Sequence, residues 1–236
     1  MRIDKFLSDM GVATRKEAKL AAKRGGILVD GVPVRDTAVH IEPERVTVSY
    51  LGKTVEYRKY TYVCLNKPEG YVSATEDARL PFVTELLPEN LQRLSLFPVG
   101  RLDKDTVGLM ILTNNGPLAH ALLSPKRHVK KVYRFSSAEP MRMGVEEDFC
   151  HGVTLADGYE CKEAEIVLDK DRLGGLITLT GGKYHQIKRM VAASDNRVMY
   201  LERISFAGIP LDPSLARGEW RYLTDEEISR LRELAK

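Results

Sequence analysis

The sequence predicts an α+β chain in two parts, a small helix-and-hairpin unit over residues 1–58 and a larger mixed unit over residues 59–236. Three features point to this division. Thr14 and Glu17 have the capping-box spacing that starts a helix, Gly25-Gly26 stops it, and ILVDGVPV then sets two β-prone runs around the turn pair Asp30-Gly31. From Tyr60 the pattern changes to apolar strand-like runs alternating with helical stretches. Thr224 and Glu227 repeat the capping box and open a last helix.

Taken in order, Ile3, Phe6, Leu7 and Met10 recur at helical spacing and predict a first short helix. The capped second helix follows, then the hairpin. Residues 37 to about 58 contain short strands such as VTVSY and KTVEYRK with a polar connector. YTYVCLN reads as a buried strand ending in a KPEG turn. A helix is expected over Val83 to Leu94, irregular or split because Pro88 lacks the amide a helix interior needs. LSLFPVG and VGLMILT read as strands, Pro117 to Leu123 as a short helix, and KKVYRFSSA as a strand. Residues 141–151 are expected to be helical. HGVTLADGYECKEAEIVLD reads as a hairpin running into a strand, GLITLTGG as another strand, and Tyr184 to Ser194 as a helix.

Composition narrows the class without naming a function. Of 236 residues, 43% are hydrophobic and 29% charged, with a formal net charge of +3, which is ordinary for a water-soluble globular chain. The three cysteines form no CxxC pair, against a disulfide framework or a thiolate zinc site, and the five scattered histidines include no HxxxH. No metal site is expected. The opening MRIDKFLSD has no apolar run of the secretory kind, and VGLMIL is too short to span a bilayer. A cytoplasmic setting is expected.

Charge is unevenly placed. In TRKEAKLAAKR, Arg15, Lys19 and Lys23 fall four apart on one helix face with Lys16 beside them. This is either a solvated face or a phosphate-binding one. Between Leu118 and Ala138 there is no acid, while Lys126, Arg127, Lys130, Lys131 and Arg134 fall close together. Like charges at that density repel unless an anion lies among them, and two basic patches favour a large polyanion such as structured RNA or DNA.

Chemistry is carried by three stretches. In GRLDKDTVGLMILTNNG, Arg101 and Asp103 are two apart and share one face if the segment is extended, with Asp105 following on the same side. A glycosidase-like carboxylate pair fails on geometry, since neighbours on one strand cannot straddle a substrate. Asp105, before Thr106 and Gly108, reads as a turn residue whose side chain binds backbone. TGGKYHQIKRM lacks the spacing of a phosphate loop. The helix it opens has Ile187, Met190 and Val191 on a core-like edge and His185, Lys188 and Arg189 on a polar one. Tyr133, within KKVYRF, is either a core tyrosine or a base-stacking aromatic among cations.

GRLDKDTVGLMILTNNG, KPEGYV, KKVYRF and GGKYHQIKRM, in this order from about Tyr60 to the C-terminal helix, resemble the RsuA-like pseudouridine synthases of small-subunit ribosomal RNA. The N-terminal unit resembles the RNA-binding domain shared with ribosomal protein S-four. The sequence departs from the family pattern at Val107 and Asn115, neither of which is given chemistry in it. The resemblance implies a mainly antiparallel catalytic sheet with flanking helices, and isomerisation of a uridine already in RNA without a cofactor. It implies that Asp103 is the essential carboxylate, as nucleophile or as base, that Lys188 keeps it ionised, and that Tyr133 stacks on the target base. Ile187 would line the apolar side of that base, and Arg101 would hold the flipped-out nucleotide or a phosphate. RNA contacts would come from Arg15, Lys16, Lys19 and Lys23, from Lys126, Arg127, Lys130, Lys131 and Arg134, and from Arg189. The partner would be ribosomal RNA or a small-subunit assembly intermediate, met by a monomer. A large-subunit target is the alternative, and a non-catalytic RNA-binding assembly factor would have lost Asp103 or Lys188.

Overall fold

Apolar residues at helical spacing, the two capping boxes and the glycine stops produce their elements locally. The computed structural model describes residues 1–236. By internal contacts it forms two units, Met1–Thr61 with Leu87–Leu96, and Tyr62–Leu86 with Phe97–Lys236.

In the first unit, helix α1 (Ile3–Asp9) and helix α2 (Arg15–Lys23) precede strands β1 (Ile27–Val29), β2 (Val32–Pro33), β3 (Val48–Tyr50) and β4 (Lys53–Val55). The strands form a sheet in the order β2-β1-β3-β4. The Thr14 hydroxyl accepts the Glu17 amide at 3.2 Å, and the Glu17 carboxylate accepts the Thr14 amide at 2.6 Å. Ala18, Ala21 and Ala22 of α2 are buried with Ile3, Phe6, Leu7 and Ile27, which leaves Arg15, Lys16, Lys19 and Lys23 exposed. Asp4 is buried but accepts from Arg2 at 2.7 Å, and that ion pair holds its carboxyl below the usual range.

The second unit contains strand β5 (Tyr62–Lys67) and then a turn of 3-10 helix over Val83–Leu86. The short helix α3 (Glu89–Gln92), counted with the first unit, has Pro88 at its N-cap. The helix expected over Val83–Leu94 is therefore split at Pro88, as a proline dictates. Strands β6 (Phe97–Pro98) and β7 (Val107–Thr113), helix α4 (Gly116–Leu123), strand β8 (Lys131–Ser137), helix α5 (Val145–His151), strands β9 (Glu165–Leu168) and β10 (Gly174–Leu179), helix α6 (Gln186–Ala192), strands β11 (Val198–Phe206), β12 (Ile209–Pro210) and β13 (Trp220–Tyr222) and helix α7 (Asp225–Leu234) complete it. The α+β class holds, with one nine-stranded mixed sheet running β13-β5-β7-β11-β8-β10-β9, in which β12 pairs with β11 and β6 with β7. All its pairings are antiparallel except β7 with β11.

A single cross-strand row places the site. Lys67 on β5 faces Gly108 on β7, which faces Arg203 on β11, which faces Tyr133 on β8. Gly108 has φ +100°, and a Cβ there would lie 2.4 Å from the Arg203 carbonyl oxygen. Only glycine lets the two central strands approach at this point.

Candidate active site

Asp103 lies in a loop, not on a strand: β6 ends at Pro98 and β7 begins at Val107. The extended Arg101–Asp105 segment expected from the sequence is replaced by a turn in which the Thr106 amide donates to the Asp103 carbonyl at 3.1 Å. Two side chains hold this loop. The Ser73 hydroxyl donates to the Leu102 carbonyl at 2.6 Å and accepts the Leu102 amide at 2.9 Å. Lys67, wholly buried at the end of β5, donates from Nζ to the carbonyls of Pro68, Asp103, Lys104 and Thr106 at 2.8–3.2 Å. Burial lowers its pKa to about 8, with the neighbouring charges of Asp105 and Asp103 acting the other way. Read in sequence only as part of a turn, Lys67 fixes the backbone from which Asp103 projects.

The facing loop is held in the same way. Lys131 Nζ donates to the carbonyls of Val129, Thr180 and Gly181 at 3.0–3.2 Å. Burial, and then the charge of Arg203, lower its pKa to about 8. Arg203 itself is 1% exposed, with Nε donating to the Leu109 carbonyl at 2.7 Å and the guanidinium 5.3 Å from the Phe206 ring centre. Its Nη2 and the Thr106 hydroxyl are buried without a hydrogen-bond partner. The Thr180–Lys183 loop leads through His185, in the left-handed region at φ +49°, into α6. The buried Gln186 caps the turn, its Oε1 accepting the Lys183 amide at 3.0 Å.

Between the two loops, Lys188 Nζ lies 3.5 Å from Asp103 Oδ2 and 2.5 Å from Asp105 Oδ1, while His185 Nε2 lies 3.5 Å from Asp103 Oδ1. The carboxylate of Asp103 is 28% exposed and that of Asp105 60%. The structure thus brings the expected cation to Asp103 but gives it a second anion. Asp105 sits in the turn, yet its carboxylate pairs most closely with Lys188 rather than with backbone alone. Partial burial raises its pKa, and the Lys188 hydrogen bond and charge outweigh this, leaving Asp105 below the usual carboxylate range.

Asp103, Arg101, Tyr133, Ile187 and Lys188 line one small cavity, which His185 and Lys183 also border. Tyr133 and Ile187 are buried in its wall and Arg101 is exposed. The adjoining groove has a volume of about 650 Å³, shares Arg101, Asp103 and Tyr133, and falls within the range of built ligand sites. No three His, Cys, Asp or Glu side chains converge as metal ligands do.

The basic run of β8 does not form one patch. Strand alternation turns Lys131, Tyr133 and Phe135 inward and Arg134 outward. Lys131 is committed to backbone carbonyls, and Arg134 makes a two-point ion pair with Asp169 at 2.7 and 3.1 Å. Lys131 drops out of the expected RNA-contacting set, while Lys126, Arg127, Lys130 and the ion-paired Arg134 are exposed. For Arg134 the anion absent from residues 118–138 is supplied by Asp169. Arg189, also expected to meet RNA, pairs with Asp157 at 2.5 Å.

Comparison with known proteins fits this geometry. Residues 61–193 match the model of the RNA pseudouridylate synthase family, and residues 1–49 match the S4 domain. Over 236 residues the chain is 43% identical to the uncharacterized RNA pseudouridine synthase YtzG of Bacillus subtilis, covering 99% of both. It is 37% identical to ribosomal small subunit pseudouridine synthase A of Vibrio cholerae, covering 98% of this chain and 99% of the other. The Escherichia coli K12 protein of that name is 36% identical, with 97% and 99% covered. A solved pseudouridylate synthase structure covers 98% of this chain at 32% identity with a TM-score of 0.69. With an S4 domain ahead of a sheet whose loops bring a carboxylate, a lysine and a tyrosine to one cavity, the chain belongs to the RNA pseudouridylate synthase family and is an enzyme of that kind.

Proposed function

We propose that this enzyme isomerises a uridine of 16S ribosomal RNA to pseudouridine, with Asp103 as the essential carboxylate. The observation that carries the proposal is the Asp103 side chain, set in a cavity wall beside Tyr133 and flanked by Lys188 and His185 at 3.5 Å. The small-subunit target is supported by full-length relatives at 36–37% identity named as small-subunit enzymes.

The chemistry follows from what must move. The bond from the ribose anomeric carbon to nitrogen 1 breaks, the uracil turns, and the same carbon bonds to carbon 5. The proton on carbon 5 leaves to solvent and nitrogen 1 gains one. No electrons are exchanged with a second reagent, so the resemblance's expectation of no cofactor is chemically sufficient. Asp103 acts at the ribose as nucleophile or base, and both routes need it ionised. The Lys188 ammonium favours that state. A stacked base would shield its glycosidic bond, so the uridine is flipped into the cavity. There Tyr133 stacks on it, Ile187 contacts its apolar edge, and Arg101 at the mouth meets the displaced backbone. Residues 1–58 form the RNA-binding portion, with the exposed face of Arg15, Lys16, Lys19 and Lys23 meeting phosphates. On this reading the enzyme works in the cytoplasm as a monomer on ribosomal RNA or a small-subunit assembly intermediate.

Asp103→Asn keeps the shape of the side chain and removes its charge. It is expected to abolish tritium release from small-subunit RNA labelled at carbon 5 of uridine while leaving RNA binding within about threefold. Retained release would remove Asp103 from the mechanism. Pseudouridine mapping in both ribosomal RNAs of a strain lacking the enzyme should show one site missing from 16S RNA, and a site missing from the large-subunit RNA instead would overturn the target.

A further inference from the structure

Tyr184 is 74% exposed, the most open aromatic side chain among the exposed large hydrophobic residues. Its ring stacks on that of His185, with centroids 3.8 Å apart and planes 17° apart. His185 in turn reaches Asp103 Oδ1 at 3.5 Å. Tyr184 borders the wide groove but not the small inner cavity that holds Asp103. Tyr159, also in the groove and 39% exposed, has Lys183 Nζ 4.8 Å from its ring centre, and Lys162 lines the same groove. Aromatic rings interleaved with ammonium groups are what single-stranded nucleic acid requires, rings for the bases and cations for the backbone.

We propose that Tyr184 is a stacking platform for the nucleotide adjacent to the target uridine, so that base, Tyr184 and His185 form one stack ending at the Asp103 carboxylate. The proposal rests on the reading of this cavity as the uridine site. Flipping a base removes a stacking partner from each of its neighbours. A neighbour laid on the open face of Tyr184 regains one, and it holds His185 against Asp103 at the same time. Every base has a π-face, so the contact selects an unstacked neighbour rather than one sequence. The site is separate from Tyr133, which lies inside the cavity and meets the target itself.

The experiment uses the full-length enzyme, a small-subunit RNA transcript to map the modified uridine, and a short synthetic RNA carrying that uridine. Tyr184→Ala should weaken binding of the short RNA roughly tenfold. Tyr184→Phe and Tyr184→Trp, which keep a ring, should bind within about threefold of the wild type. Replacing the neighbouring nucleotide on the correct side by an abasic one should bring the wild type down to the level of Tyr184→Ala, with no further loss in the variant. With 2-aminopurine at that position, fluorescence should be quenched by the wild type and by Tyr184→Trp but not by Tyr184→Ala. Equal binding by Tyr184→Ala and the wild type, or a loss that persists in full on RNAs abasic on either side, would show a merely solvated tyrosine and overturn the proposal. Wild-type enzyme that binds the transcript but releases no tritium would instead overturn the functional reading.

Discussion

Lys188 stands between two carboxylates at unequal distances, 3.5 Å from Asp103 and 2.5 Å from Asp105. Asp105 is the more exposed of the pair, so water screens it better and its loss should be easier to tolerate. Removing its charge with Asp105→Asn leaves Lys188 to Asp103 alone, and turnover should fall less than tenfold. Lys188→Met removes the lysine paired with the Asp103 carboxylate and should lower turnover by roughly 100-fold or more, with RNA affinity much less affected. Single-turnover kinetics and RNA titrations on the two variants check this. A larger loss from Asp105→Asn than from Lys188→Met would mean that Asp105 is the working carboxylate. In the sequence, GRLDKDT read alone gave Asp105 a turn role and no partner, because the lysine that pairs with both aspartates is 83 positions away from Asp105 and reaches it only through the fold. The assignment of Asp103 came from resemblance, and that of Asp105 as a backbone-binding turn residue missed its ion pair for the same reason.

At the scale of the element, two loops are each tied to the sheet by a buried lysine, Lys67 for the Asp103 loop and Lys131 for the loop that leads to His185 and Lys188. A charged donor on a carbonyl is stronger than a neutral one, and an abandoned buried carbonyl is costly. Lys130 is exposed and its neighbour Lys131 is committed to carbonyls, so the two should respond differently to substitution. Lys130→Gln should lower the salt slope of RNA binding by about one and leave saturated turnover unchanged. Lys131→Met should leave the salt slope alone and lower turnover, because the loop carrying the site loses its tie. Equal effects of the two substitutions on salt slope would return Lys131 to the RNA-contacting surface. This distinction was within reach of the sequence: Lys131, Tyr133 and Phe135 share one strand phase, and two aromatics on that face mark it as inward. Charge density drew attention to the whole run and hid the alternation. The capping boxes of α2 and α7 and the hairpin were legible because each is a local code. Less legible was where helices begin and end, as in the α5 start at Val145 after Gly144 at φ +82°.

Across the molecule, the buried titratable groups set how stability responds to pH. Lys67 and Lys131 both have pKa values of about 8 in the fold against 10.5 when unfolded, because burial disfavours the ammonium. Between about pH 8 and 10.5 the unfolded chain therefore holds more protons than the folded one, by fewer than two, and stability rises with pH. Below pH 8 both costs are fully present, on the order of 3 kcal/mol per lysine. Cys64 acts in the opposite direction. Burial pushes its thiol from 9.0 to about 11, so above pH 9 the unfolded chain loses a proton that the fold retains. Each group titrates over about two pH units, so the net difference is roughly one proton from pH 8 to 10, and stability should rise by about 1.4 kcal/mol per pH unit, with Cys64 removing part of the rise above pH 9. Trp220 is the only tryptophan and lies on β13, paired with Leu65 of β5, the strand that also carries Cys64 and Lys67. Its fluorescence reports unfolding of this unit even if the S4-type unit melts separately. Urea midpoints followed through Trp220 should climb from pH 8 to 10, and Cys64→Ala should make the climb from pH 9 to 10 steeper. Lys131→Met should make the climb shallower over the whole range. A midpoint that is flat or falls between pH 8 and 9 would mean that the carbonyls around the two ammonium groups offset their burial, and the lowered pKa values would fail with it.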